Sequence, residues 1–183
     1  MPQNSKITKY TMESSTPQNK KYISFLPINK KHLIHLGIIT ITDQKEFFNL
    51  NKKYAHYKKR IYAILLVQGA ALHYVDKKNG IKDFDVLVIY KKQNNRTKLY
   101  AKRLKSYDSG LPEFGRYSKD KPKYTNRRVD ILMREIPVLK HKSLNINLRD
   151  FISQHKYWSK KAAVGIWPKR ILGKIIYSNT QYL

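Results

Sequence analysis

Three stretches of the chain have the length and patterning of strands. "YAILLVQ" (62–68) is a continuous apolar run ended by Gly69, the pattern of a strand covered on both faces. "DFDVLVIY" (83–90) is a second apolar run, entered through two carboxylates. "RRVDILMREI" (127–136) is a third, in which Val129, Ile131 and Met133 alternate with Asp130, Leu132 and Arg134. Between the first two, "AALHYVDKKNG" predicts a short helix that stops at Gly80 as its C-terminal cap. Ahead of them, Thr42 as N-cap with Asp43 in the first turn opens a helix through "DQKEFFNLNKKYAHYKKR", whose Phe47, Leu50, Tyr54 and Tyr57 recur on one face.

Elsewhere the pattern is weaker. "YISFLPI" (22–28) and "HLIHLGIITI" (32–41) are short apolar pieces without an assignable period. Residues 91–127 begin as a charged amphipathic segment and pass into the Gly/Pro/Lys-rich loop "DSGLPEFGRYSKDKPKYTNR". After Pro137, Asn145 or Asn147 caps a helix over "LRDFISQHKYWSKKA", with Tyr157 and Trp158 as core, and "ILGKIIYS" (171–178) is a final strand or the sheet edge. Residues 1–20 are polar, without apolar period, and read as a mobile basic tail.

The resulting order, α-β-α-β-loop-β-α-β without internal repeat, predicts an α+β (mixed α/β) fold with one sheet flanked by helices. At 183 residues the chain suits a single domain over 21–183, with a motif-bearing core at 43–136 and a C-terminal helix and strand within 145–178.

Composition narrows the function classes. Hydrophobic content of 41% is that of a globular chain with a core. With no Cys, neither a disulfide framework nor a thiolate metal site is available. No apolar run approaches the roughly 20 residues of a membrane span, and the first residues lack the apolar core of a signal peptide, so a soluble cytoplasmic protein is expected.

Charge adds most. There are 38 Lys and Arg against 12 Asp and Glu, a net charge of +26, and self-repulsion of that size favours an anionic partner. A polyanion such as nucleic acid fits. The charge is uneven: residues 63–90 hold 3 basic and 3 acidic residues, while 91–128 hold 13 and 3. In that basic stretch Tyr100, Tyr107, Tyr117 and Tyr124 alternate with cations, which suits stacking on bases.

Within the neutral island sits the candidate chemistry. Strand alternation places Asp83 and Asp85 on one face and Phe84 on the other, and Asp is disfavoured in strands. A strand with a wet edge accounts for such a pair alone. Asp130, embedded in the third strand as Asp85 is in the second, changes this: if the two strands are neighbours, three carboxylates converge. At an effective dielectric of about 20 a like-charge pair ~4 Å apart costs on the order of 4 kcal/mol, which protons or cations must offset. Three hard oxygen ligands suit Mg²⁺ or Mn²⁺, two ions of which assist phosphoryl transfer.

"VQGAALHY" (67–74) supplies a seat for phosphates: a strand, Gly69, then a helix start whose free N–H groups and dipole attract anions. Packing of the helix on the strand is the competing explanation of Gly69. Lys82, Arg127 and Arg128 flank the acidic strands and are candidate phosphate contacts. His73, one turn after Gly69, is a packed or surface residue in the plainer reading and a site residue in the other.

Taken together, "LLVQGAALHYVDKKNGIKDFDVLVIY" followed by "RRVDILM" resembles the DNA polymerase beta-like nucleotidyltransferase superfamily, and in its wider run small microbial proteins of that group. The family pattern is an apolar strand, Gly-Ser or Gly-Gly, a spacer, Asp-x-Asp, and a third Asp on a later strand. Here Gly69, Asp83, Asp85 and Asp130 match, and twelve residues separate Ala70 from Asp83. Ala70 departs from the usual Ser or Gly, so no hydroxyl is available there. The resemblance implies transfer of a nucleoside monophosphate from an NTP to a hydroxyl, and with the basic charge it points to an acceptor on RNA, tRNA among the candidates, or on another nucleic acid. It makes Asp83, Asp85 and Asp130 metal ligands and catalytic groups, and Gly69, Ala70, Ala71, Lys82 and Arg128 nucleotide contacts. A non-catalytic nucleic-acid-binding module on the same fold, and transfer to a protein or small molecule, are the alternatives.

Overall fold

In the computed structural model, residues 27–77, 81, 83–92, 99–105 and 129–179 are described. The tail at 1–20, Gly80 and the basic loop fall outside them. No helix among the described residues is long and apolar enough to cross a membrane.

The first helix, α1 (Lys30–Leu50), starts well before Thr42. Asn29 is its cap: the Asn29 side-chain oxygen accepts from the backbone N–H groups of Lys31 and His32, and the Asn29 N–H donates to His32 Nδ1. Thr42 and Asp43 are mid-helix. "HLIHLGIITI" is therefore helical despite Gly37 and its β-branched residues, because burial of Leu33, Leu36, Ile39, Phe47 and Phe48 outweighs weak propensity. Leu50, expected on the buried face, is exposed at the helix end. Tyr54 and Tyr57 follow on a 3₁₀ turn (Lys52–Tyr57), where Tyr57 is buried.

Next come β1 (Ile61–Val67), α2 (Gln68–Asp76) and β2 (Phe84–Lys91). The helix stops before Gly80: Lys77 adopts φ +59° and closes it. The segment expected to be irregular contains β3 (Tyr100–Lys105), and β4 (Val129–Ile136) follows. The last helix, α3 (Leu144–Gln154), is capped by Ser143, whose hydroxyl accepts from the Ile146 N–H. Asn147, one of the two expected caps, is buried instead. Its amide donates to the carbonyls of Leu139, Lys142 and Ser143 and its oxygen accepts from the Leu139 N–H, which ties down the loop before α3. Trp158 is core, whereas Tyr157 is exposed.

Two strands close the chain, β5 (Ala162–Trp167), which the apolar pattern does not predict, and β6 (Ile175–Ser178). The architecture is α+β: a six-stranded mixed sheet ordered β3-β4-β2-β1-β5-β6, with β2 and β4 parallel and the other neighbours antiparallel. One face (Ile64, Leu66, Val86, Val88, Ile131, Val164) packs on α1 and α2. The other (Ala63, Leu65, Leu87, Ile89, Leu132, Ala163) packs on α3 and Trp158. This double burial explains why β1 and β2 read as unbroken apolar runs.

Candidate active site

The parallel pair β2 and β4 fixes the centre. Phe84 lies beside Val129 and Asp85 beside Asp130, so the two carboxylates leave adjacent strands at the same level. Both share residue parity with Leu87 and Leu132, which places them on the α3 side of the sheet. Asp83 lies one residue ahead of β2, at the same end.

Their mutual field is visible in Asp85. Burial, then the charges of Asp83 and Asp130, push its carboxyl up to about 7, while Lys102 and Lys161 pull the other way. Asp130 is only 2% exposed, and the Lys102 amine stands 2.8 Å from its Oδ2. Lys102 is half exposed at the edge of the sheet, where β3 runs antiparallel to β4 with Lys102 beside Leu132.

On the other side, Val67 at the end of β1 is paired with Asp85 and Ala163. The chain turns there into α2 through Gln68, held at φ +60°, and no side chain among the described residues caps the helix. Its first N–H groups therefore lack intrahelical partners. A Cβ added at Gly69 meets one described atom within 4 Å, Lys161 Nζ at 3.8 Å, an ordinary contact. Among the described residues nothing at the turn demands glycine, which counts against helix-on-strand packing as its explanation. Ala70 and Ala71 are buried in the core, backbone included, and of the first residues of α2 Gln68 and Gly69 keep partial exposure.

Across one end of the sheet the order is thus Lys102 on β3, Asp130 on β4, Asp83 and Asp85 at β2, the Gly69 turn after β1, and Lys161 just ahead of β5. The Lys161 backbone is held in place by the Asn179 N–H, which donates to its carbonyl at 2.7 Å. Lys102 and Lys161 are absent from the sequence-based site because both reach it through strands, β3 and β5, that the pattern does not reveal. His73 is fully buried on α2 and belongs to the packing. Lys82, Arg127 and Arg128 lie outside the described residues.

The donor set is all carboxylate oxygen. Among the described residues no group of three His, Cys, Asp or Glu forms a ready metal cage. Hard cations such as Mg²⁺ do not require one, since one or two carboxylates with water and substrate phosphates suffice. Asp83 and Asp85 fit that part, next to a turn open to an anion. The chain matches no protein-family model, and no curated protein matches it.

Proposed function

We propose that the protein is a metal-dependent nucleotidyltransferase that moves a nucleoside monophosphate from an NTP to a hydroxyl on nucleic acid, RNA above all, in the cytoplasm. The observation that carries the reading is the register of Asp85 beside Asp130, with Asp83 ahead of them and the uncapped Gly69 turn on the adjoining strand. Buried like charges side by side are costly, and cation binding between them is the function that offsets the cost.

In this reading Asp83 and Asp85 would hold Mg²⁺ or Mn²⁺, with Asp130 as a third carboxylate ligand. Such ions, when bound, neutralise phosphate oxygens and acidify the attacking hydroxyl. The N–H of the partly exposed Gly69 and the Lys161 amine receive the phosphates, with Ala70, Ala71, Lys82 and Arg128 as further candidates. Asp130 takes the proton of the acceptor hydroxyl as its oxygen bonds to the α-phosphorus and pyrophosphate leaves. Ala70 supplies no hydroxyl and is buried, so in this reading the backbone N–H of Gly69 is the donor that the turn offers. Mixing the protein with labelled NTPs, Mg²⁺ and total RNA tests the reading. Label transfer abolished in Asp83→Ala and Asp130→Ala supports it, and equal transfer in both variants and the wild type sinks it.

The Lys102–Asp130 ion pair favours a second reading, a nucleic-acid-binding module in which lysine has taken over from a cation. That module would bind RNA with a salt dependence of about −0.7 to −0.9 per phosphate and without dependence on Mg²⁺ or NTP.

A further inference from the structure

The opposite end of β1 and β2 carries a second feature. Their ladder runs from Val67 beside Asp85 to Ile61 beside Tyr90, a span of about 20 Å at roughly 3.3 Å per residue. There His56, Lys59, Arg60, Ile61 and Lys91 line a cavity of about 340 Å³. Three of these five side chains are cationic and a fourth is a histidine, and among the described residues no carboxylate belongs to the lining. Like charges around one concavity repel, so the arrangement gains from an anion within it.

Lys59, Arg60 and Lys91 are exposed, and the backbone that carries them is held by hydrogen bonds. The His56 ring packs on the buried Tyr57 ring, 4.4 Å between centroids, and the Tyr57 hydroxyl donates to Glu135. The Arg60 N–H donates to the Tyr57 carbonyl and the Lys91 N–H to the Arg60 carbonyl, which ties the 3₁₀ turn to both strands. A register shift between Ile61 and Ala63 interrupts the ladder at this point, and the Lys91 amine lies 5.7 Å over the Tyr62 ring. His56 Nε2 is buried with no hydrogen-bond partner among the described residues.

We propose that this cavity seats a backbone phosphate of a polynucleotide. Donors from several directions suit the oxygens of a phosphate better than the two coplanar oxygens of a carboxylate. The distance makes it a grip on the acceptor strand remote from its reacting end, several nucleotides away at about 3.4 Å per duplex step. The inference rests on the acceptor being nucleic acid. It is separable from the reaction, because Asp83→Ala removes transfer and leaves this grip intact.

The test compares Lys59→Gln/Arg60→Gln/Lys91→Gln with Lys31→Gln/Lys140→Gln/Lys156→Gln, an equal loss of charge at exposed positions elsewhere. Binding of a labelled RNA of about 12 nucleotides is followed by anisotropy at several salt concentrations. The cavity variant is expected to lose roughly tenfold or more in affinity and to flatten the log K against log[salt] slope by about 0.7 to 0.9, the share of one phosphate, with the control within a few-fold of wild type. Equal losses in both variants overturn the proposal. So does a cavity variant that weakens binding of a poly-glutamate peptide as much as binding of RNA, which would assign the cavity to an acidic protein. If the variant fails to fold, NMR of the wild-type chain decides: the His56 ring resonances shift on saturation with the RNA, and unmoved resonances overturn the seat. A cavity variant that keeps its RNA affinity but loses binding of inorganic phosphate would also overturn it, assigning the cavity to a free anion.

Discussion

The Lys102 amine sits 2.8 Å from Oδ2 of Asp130, a half-exposed cation against a carboxylate that is almost wholly buried. Lys102 can leave for solvent at little cost, whereas Asp130 must keep a counter-charge. Lys102→Met is therefore expected to lower stability in EDTA by about 1–2 kcal/mol, the exposed partner tempering the loss. A divalent cation that reaches the carboxylates replaces the missing charge, so Mg²⁺ raises the Tm of Lys102→Met more than that of the wild type. Thermal melts with and without millimolar Mg²⁺ decide, and an unchanged gap between the two proteins would rule out a cation at Asp130.

Asp85 gives a pH dependence of defined sign. Its native carboxyl titrates near 7, against an ordinary value of 3.8. Between those values the folded chain holds a proton that the unfolded chain has lost, so stability from this group falls as pH rises across the window. At about 1.4 kcal/mol per pH unit the full effect is on the order of 4 kcal/mol, reduced by solvent at the site mouth. Other carboxylates tilt the whole curve, so the informative quantity is a difference. In EDTA, Asp85→Asn gains on the wild type in Tm as pH goes from about 4.5 to 7.5. Parallel curves for the two proteins would mean that the three carboxylates do not share a field.

Two glycines make a matched pair. At Gly165 a Cβ would lie 2.1 Å from the Ile171 carbonyl oxygen, so Gly165→Ala must shift backbone and is expected to cost about 3 kcal/mol or more. At Gly69 the nearest described atom is the flexible end of Lys161, and alanine favours a helix by up to about 1 kcal/mol over glycine. Gly69→Ala therefore keeps or raises the Tm. If the turn seats phosphates as proposed, its methyl group stands in their path and NTP affinity falls. Calorimetry of NTP binding beside a thermal melt separates the two effects; a Gly69→Ala variant that binds NTP as tightly as the wild type would remove the phosphate role of the turn.

What the sequence made legible was what is buried on both faces of the sheet. β1, β2 and β4 are apolar runs, and the intrusion of Asp85 and Asp130 into the last two was itself the signal of the site. The strands that carry or follow Lys102 and Lys161 gave none. β3 is "YAKRLK", an edge strand whose charges read as a solvated segment, and β5 is "AAVGIW", short and glycine-containing. The N-terminal helix was obscured for a different reason. Asp43 has the character of a first-turn carboxylate because acidic residues favour helix starts, yet its charge is satisfied by tertiary structure.

That satisfaction comes from Arg103, whose Nε lies 2.7–2.8 Å from both carboxylate oxygens of the fully buried Asp43. Gln44 donates to the same carboxylate at 3.3 Å and accepts from the Tyr90 hydroxyl, while the Arg103 guanidinium lies 5.3 Å over the Phe47 ring. The pair clamps α1 to β3, the strand that also carries Lys102. Arg103→Met leaves a buried carboxylate without its cation and is expected to cost about 3–5 kcal/mol. Removing both charges, Asp43→Leu/Arg103→Met, avoids that desolvated charge and recovers most of the loss. Urea unfolding of the two single variants and the double gives the coupling. A clamp that only joins α1 to β3 leaves the Mg²⁺ response of the double variant like that of the wild type. If β3 depends on the ion pair itself to hold Lys102 in place, the double variant responds to Mg²⁺ as Lys102→Met does.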